Sequence, residues 1–121
     1  MLKDSYFKIV NIEDGDTTKY SVELNPQHDV YNGHFPGEPV CPGVCSVQMI
    51  RECIEDKLGK KLSLSNLGQV RFTSLITPNA NPNLVVSFTA SETEEGTYKV
   101  KADITAGETS FLSLKGELKV K

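Results

Sequence analysis

The sequence contains no run of lysine or arginine. Acidic residues outnumber basic ones by 16 to 13, for a net charge of −3. A phosphate backbone is held by clustered positive charge, so the balance argues against nucleic acid as the main partner. No apolar run approaches the ~20 residues that cross a bilayer. Met1-Leu2-Lys3-Asp4 passes into alternating residues without the apolar core of a secretory signal. The expectation is a cytoplasmic protein without membrane insertion. Cysteine is scarce and odd in number: Cys41, Cys45 and Cys53. Three thiols leave no complete disulfide framework, and in a reducing compartment they serve as small hydrophobes. Glycine is not arranged as a Walker or dinucleotide phosphate loop, and no serine elbow or His–Asp–Ser order occurs. His28, His34, Glu38 and Cys41 follow no recognised ligand spacing, so no metal site is expected.

What is present suits a single domain over residues 1–121, with 38% hydrophobic and 24% charged residues. Its most informative stretch runs from His28 to Val44, with three prolines and three glycines between Gly33 and Gly43. Proline fixes φ and glycine permits φ > 0, so this density predicts an ordered, irregular loop that carries His34 toward a helix start. The helix is expected over 44–58, with Val44, Val47, Ile50, Ile54 and Leu58 on one face. Cys45, Met49 and Cys53 lie on another side, so its first turns are apolar almost all round, as in a helix wrapped by other structure. Gly59 fits a C-cap, with Lys57 in the last turn. Strands are expected over 6–10, 17–24, 67–75, 84–90, 97–104 and 111–120, with turn residues at 94–96 and 106–108. The class is α+β: one helix against one sheet, whose open edges favour pairing with a second copy.

Gly33-His34-Phe35-Pro36, then Pro39, then Pro42-Gly43-Val44, resembles the signature of the hot-dog-fold (3R)-hydroxyacyl-acyl-carrier-protein dehydratases of fatty acid synthesis. Val70-Arg71-Phe72 with Leu75-Ile76-Thr77-Pro78 resembles that family's second, weaker segment. The likeness covers roughly residues 17–120. It implies an antiparallel sheet of about six strands wrapped around one central helix, working as a homodimer or a multiple of dimers with sites across the interface. The implied activity is that of a hydro-lyase, removing water from a 3-hydroxyacyl thioester to give the trans-2-enoyl product. The substrate is carried on the phosphopantetheine of acyl carrier protein, and no metal or other cofactor takes part.

The family's histidine maps onto His34, which suits the base that removes the proton beside the thioester carbonyl. Backbone N–H groups at Gly43 and Val44 fit an oxyanion site at the helix start. Phe35, Pro36, Gly37 and Pro42 shape the loop. The family's acid maps fourteen residues beyond the histidine, and here that residue is Gln48. An amide supplies no titratable proton. Four residues on, where many members carry Gln, stands Glu52, expected to supply the proton or to orient a water that does. Arg71, Lys57, Lys60 and Lys61 form the expected docking surface for an acidic carrier protein. Two other readings use the same features: an acyl-thioester hydrolase, and a non-catalytic acyl-chain or carrier-binding partner that has lost the acid.

Overall fold

The structure, a computed structural model, describes residues 2–31 and 40–121. Strands β1 (Phe7–Glu13) and β2 (Thr18–Leu24) form a hairpin, and a 3-10 turn follows at Asp29–Tyr31. Helix α1 (Gly43–Leu58) precedes β3 (Leu62–Phe72), β4 (Asn83–Glu94), β5 (Thr97–Ala106) and β6 (Thr109–Val120). The strands pair antiparallel in the order β1-β2-β4-β5-β6-β3. This is the expected six-stranded sheet on one central helix.

The helix forms where the sequence places its stops. Pro42 takes the N-cap position, where a missing N–H costs nothing. The chain leaves through Gly59 at φ 67°, whose N–H bonds Glu55 O. Only glycine enters that left-handed region without strain. The buried face keeps Ile50 and Ile54 of the expected one but is turned toward the cysteine side. Cys45, Met49, Ile50, Cys53 and Ile54 enter the core, whereas Val44 is 75% exposed. Val47 and Leu58 pack only against the core's margin. The sequence carries two apolar stripes one position apart, and the curved sheet covers the one bearing the cysteines. From the sheet, alternate residues such as Val22, Val86, Phe88, Ala102 and Ile104 meet that stripe.

The other departure is β3, which starts at Leu62 and ends at Phe72 rather than spanning 67–75. Its register against β6 shifts between Leu64 and Asn66 and again between Leu67 and Gln69. Each bulge inserts a residue and breaks the period-2 pattern that announces a strand. Gly116 of β6 lies under this irregularity, and a Cβ there would collide with the Asn66 carbonyl oxygen. Gly116→Ala is therefore expected to destabilise the fold by about 1–3 kcal/mol through overpacking. Chemical denaturation reads this directly; a midpoint unchanged from wild type would show that β3 yields to the methyl.

Beyond β3 no strand among the described residues continues the sheet. This edge exposes Leu64 and Leu67, and Phe72 packs its ring over Gly43 at the helix start.

Candidate active site

The stripe of α1 that stays out of the core lines a cavity instead. Val44, Val47, Gln48 and Arg51 follow one another at three-residue and neighbouring steps along that side of the helix. They face Leu64 of β3 and Leu114 and Leu118 of β6 across a space of about 180 Å³. That volume holds about six water-sized groups. Gln48 and Arg51 are the helix's polar contributions to the described lining, Glu117 of β6 is the charged residue on the sheet side, and the other lining residues are apolar or glycine. Arg51 Nε is sealed from solvent with no hydrogen-bond partner among the described residues. An apolar slot with a few convergent polar groups is the usual form of a small-molecule site.

Gln48 is not a free side chain. Its Nε2 donates to Glu52 Oε2 at 2.9 Å, one helical turn on. Glu52 is only 2% exposed. Its carboxylate also accepts the backbone N–H of Leu2, at 3.0 Å to Oε1 and 2.8 Å to Oε2, and that of Lys3 at 2.8 Å. Backbone donors thus supply what a buried carboxylate otherwise lacks. Glu52 stands outside the cavity's lining, which gives it an anchoring position rather than one against a ligand. Nothing local in the sequence announces this, because the donors lie 49 and 50 residues away.

His34, Phe35, Pro36 and Gly37 lie outside the described residues. The chain on either side of them is tied down. The Tyr31 hydroxyl lies 3.3 Å from Cys41 Sγ, and the Cys41 N–H donates to Ile76 O at 2.8 Å. Pro42 O accepts the N–H groups of Cys45 and Ser46. The N–H groups of Gly43 and Val44 have no acceptor among the described residues, and unpaired N–H groups at a helix start favour an anionic oxygen.

Of the four cations expected at a carrier surface, Lys57, Lys60 and Lys61 lie at the C-terminal end of α1 and just beyond it, and Arg71 lies near the far end of β3. Lys57 pairs with Asp14. Lys60 donates to the Tyr98 hydroxyl at 2.9 Å, with its Nζ 5.5 Å from that ring's centre. Lys61 also lies near the C-terminal end of α1. Arg71 lies nine residues along β3 from Leu62, a run of ~30 Å at strand rise. There it shares a surface depression with Lys101 and Lys115.

The thiols are poor nucleophiles. Burial pushes Cys41 and Cys45 up. Burial, and then the charges of Asp56 and Glu52, raise Cys53 from its usual 9.0 to about 12. The Tyr6, Tyr20 and Tyr31 hydroxyls are raised as well, each mainly by burial. A raised pKa means that the folded state holds the proton more tightly than the unfolded chain. The associated stability is therefore complete below pH ~9 and is lost as pH climbs toward the folded value. Stability is expected to be level through neutral pH and to fall above pH ~9, by at most about 1.4 kcal/mol per unit for a group that has lost its proton in the unfolded chain alone. A midpoint still level at pH 11 would contradict this.

Comparison with known proteins agrees with this architecture. Residues 10–111 match the ApeI-like family, described as ApeI dehydratase. The 3-hydroxyacyl-acyl-carrier-protein dehydratase FabZ of Caldicellulosiruptor saccharolyticus is 30% identical over 78 residues, covering 59% of this chain and 56% of that protein. The matched stretch is thus little more than half of that relative. Its counterpart from Syntrophomonas wolfei is 23% identical over 111 residues, covering 83% of this chain and 77% of the relative. Among solved structures, the dehydratase heterocomplex ApeI:P from Xenorhabdus doucetiae contains a chain that superposes with a TM-score of 0.64 at 18% identity, covering 92% of this chain and 96% of that one. At that identity the likeness establishes the hot-dog fold. With the family match spanning most of its length, the chain belongs to the ApeI-like dehydratases, distant relatives of the 3-hydroxyacyl-acyl-carrier-protein dehydratases.

Proposed function

We propose that this chain takes part in removing water from 3-hydroxyacyl thioesters carried on acyl carrier protein, giving trans-2-enoyl products. The observation that carries the reading is the position of Gln48. It stands where the family places its acid, and it lines an apolar slot between α1 and the sheet. In this reading the acyl chain enters that slot. His34 takes the C2 proton, the C3–O bond breaks, and the hydroxyl leaves as water once it gains a proton. The amides of Gly43 and Val44 stabilise the negative charge that develops on the thioester oxygen. The exposed apolar edge of β3 supports assembly with a second hot-dog chain, because unpaired edges of this kind are normally covered.

At the position where the family places its acid, this chain has no proton to give the leaving hydroxyl; the slot's carboxylate, Glu117, comes from β6 rather than from the helix. Gln48 can hydrogen-bond a hydroxyl but has no proton to transfer. This favours a second form of the proposal, in which the working unit pairs this chain with a different hot-dog subunit that contributes the carboxylate. The related structure from Xenorhabdus doucetiae is a dehydratase heterocomplex, and Gln48 gives this chain a chemical reason to need such a partner.

The test is to incubate the isolated chain with 2-enoyl- and 3-hydroxyacyl-pantetheine thioesters and follow both binding and product. Binding with slow interconversion of the two thioesters is the expected result. Release of free thiol would identify a hydrolase instead, and absence of binding at any chain length would remove the acyl-slot reading.

A further inference from the structure

We propose that Glu52 is the positioning residue of this site. It fixes the Gln48 amide with Oε1 toward the slot, and the site thereby selects a 3-hydroxyacyl chain over a 3-oxoacyl chain. The inference rests on the acyl-slot reading above.

Amide direction follows from the donors around Glu52. The N–H groups of Leu2 and Lys3 belong to the backbone and cannot rotate away, so the Glu52 carboxylate is fixed as an acceptor. Its Oε2 then requires a donor from Gln48, which Nε2 supplies at 2.9 Å. The reversed amide would set Oε1 against Oε2, two acceptors with no proton between them. Oε1 therefore diverges from Glu52. Gln48 lines the slot and Glu52 does not, so the amide offers a bound chain its carbonyl oxygen and the one Nε2 hydrogen that Glu52 does not take. A 3-hydroxyl can donate to the oxygen and accept the remaining N–H, whereas a 3-oxo group can only accept that N–H and leaves the oxygen unpaired.

The same logic predicts what happens when Glu52 is changed. In Glu52→Gln, the Leu2 and Lys3 amides hold the new Oε1, the Leu2 N–H giving up its 2.8 Å bond to the Oε2 position, and the new NH₂ faces residue 48. Gln48 must then turn its own oxygen inward and its NH₂ toward the slot. The preference should weaken or invert while the fold persists, which a purely structural role for Glu52 would not produce.

The experiment is calorimetric titration of the full chain with amide-linked 3-hydroxyhexanoyl- and 3-oxohexanoyl-pantetheine, which cannot turn over readily. Wild type is expected to bind the hydroxy compound about tenfold more tightly. Glu52→Gln should bring the ratio to one or below. Gln48→Leu leaves Glu52 anchored to Leu2 and Lys3 and should bring the ratio close to one, so it decides the matter even if Glu52→Gln does not fold. Equal affinities in wild type, or a ratio unchanged in the variants, overturn the inference while the slot stands. Binding of neither compound overturns the acyl-slot reading and the inference with it.

Discussion

Exchanging the two polar residues of α1, as Gln48→Glu with Glu52→Gln, is expected to raise enoyl-thioester hydration by the isolated chain by about 10²–10⁴-fold, the usual contribution of a positioned acid. The wild-type hydrogen bonds run inward to Glu52 from two sides, from the Leu2 and Lys3 amides and from Gln48 Nε2. After the exchange the same chain of bonds runs in one direction. The backbone N–H groups donate to the new amide oxygen at position 52, and the NH₂ of that amide donates to the new carboxyl at position 48. Every donor keeps an acceptor once the Leu2 N–H, 2.8 Å from Oε2 in the wild type, shifts wholly onto the retained oxygen, so the exchange keeps the network's connections while moving a titratable group to position 48. Gln48→Glu alone places two carboxyls within hydrogen-bond distance of each other. Such a pair holds one shared proton to unusually high pH. Its turnover should rise less than that of the double variant and should depend more steeply on pH. Stopped-flow or absorbance assays of hydration across pH ~5–9 separate these variants.

The second large effect is at His34. His34→Ala is expected to remove about 10²–10⁴-fold of whatever turnover is present, and to do so most clearly in the exchanged background, where the rate is high enough to measure the loss. Binding of an amide-linked acyl-pantetheine should change little, because the described lining of the slot comes from α1, β3, β5 and β6. A fall in turnover with affinity retained assigns His34 to chemistry. Parallel loss of both would assign the loop to binding.

The contrast between these two positions shows what the linear sequence conveys and what it does not. Proline at 42 and glycine at 59 mark the ends of α1, because each excludes a backbone state that a helix requires or imposes. Period-2 alternation marks β4 to β6 well. It fails for β3, where bulges beside Gly116 shift the pleat twice. The helix face is ambiguous for a different reason. Stripes through Val44 and through Cys45 are both apolar, and only the placement of the sheet decides which is core and which lines the slot. The resemblance carried by residues 33–44 led to Gln48 and the missing acid. That Glu52 is occupied by the amides of Leu2 and Lys3 could not be read in advance, since those bonds join residues 49 and 50 apart.

The role of the amino-terminal segment follows from the same contacts. Glu52→Leu would leave the amides of Leu2, Lys3 and Gln48 without their acceptor. Each unsatisfied buried group costs about 1–3 kcal/mol, so this variant should lose far more stability than Glu52→Gln. Parallel thermal melts of the two compare a lost acceptor with a retained one.

The most direct test of the central claim, that the slot between α1 and the sheet takes the acyl chain with Gln48 reading its 3-position, is a crystal structure with 3-hydroxyhexanoyl-pantetheine amide bound. The account predicts the chain lying between Val44, Arg51 and Leu64, with its hydroxyl about 2.6–3.2 Å from Gln48 Oε1 and Nε2 still on Glu52. A ligand seated elsewhere, or an amide turned with Nε2 toward the hydroxyl, would contradict it.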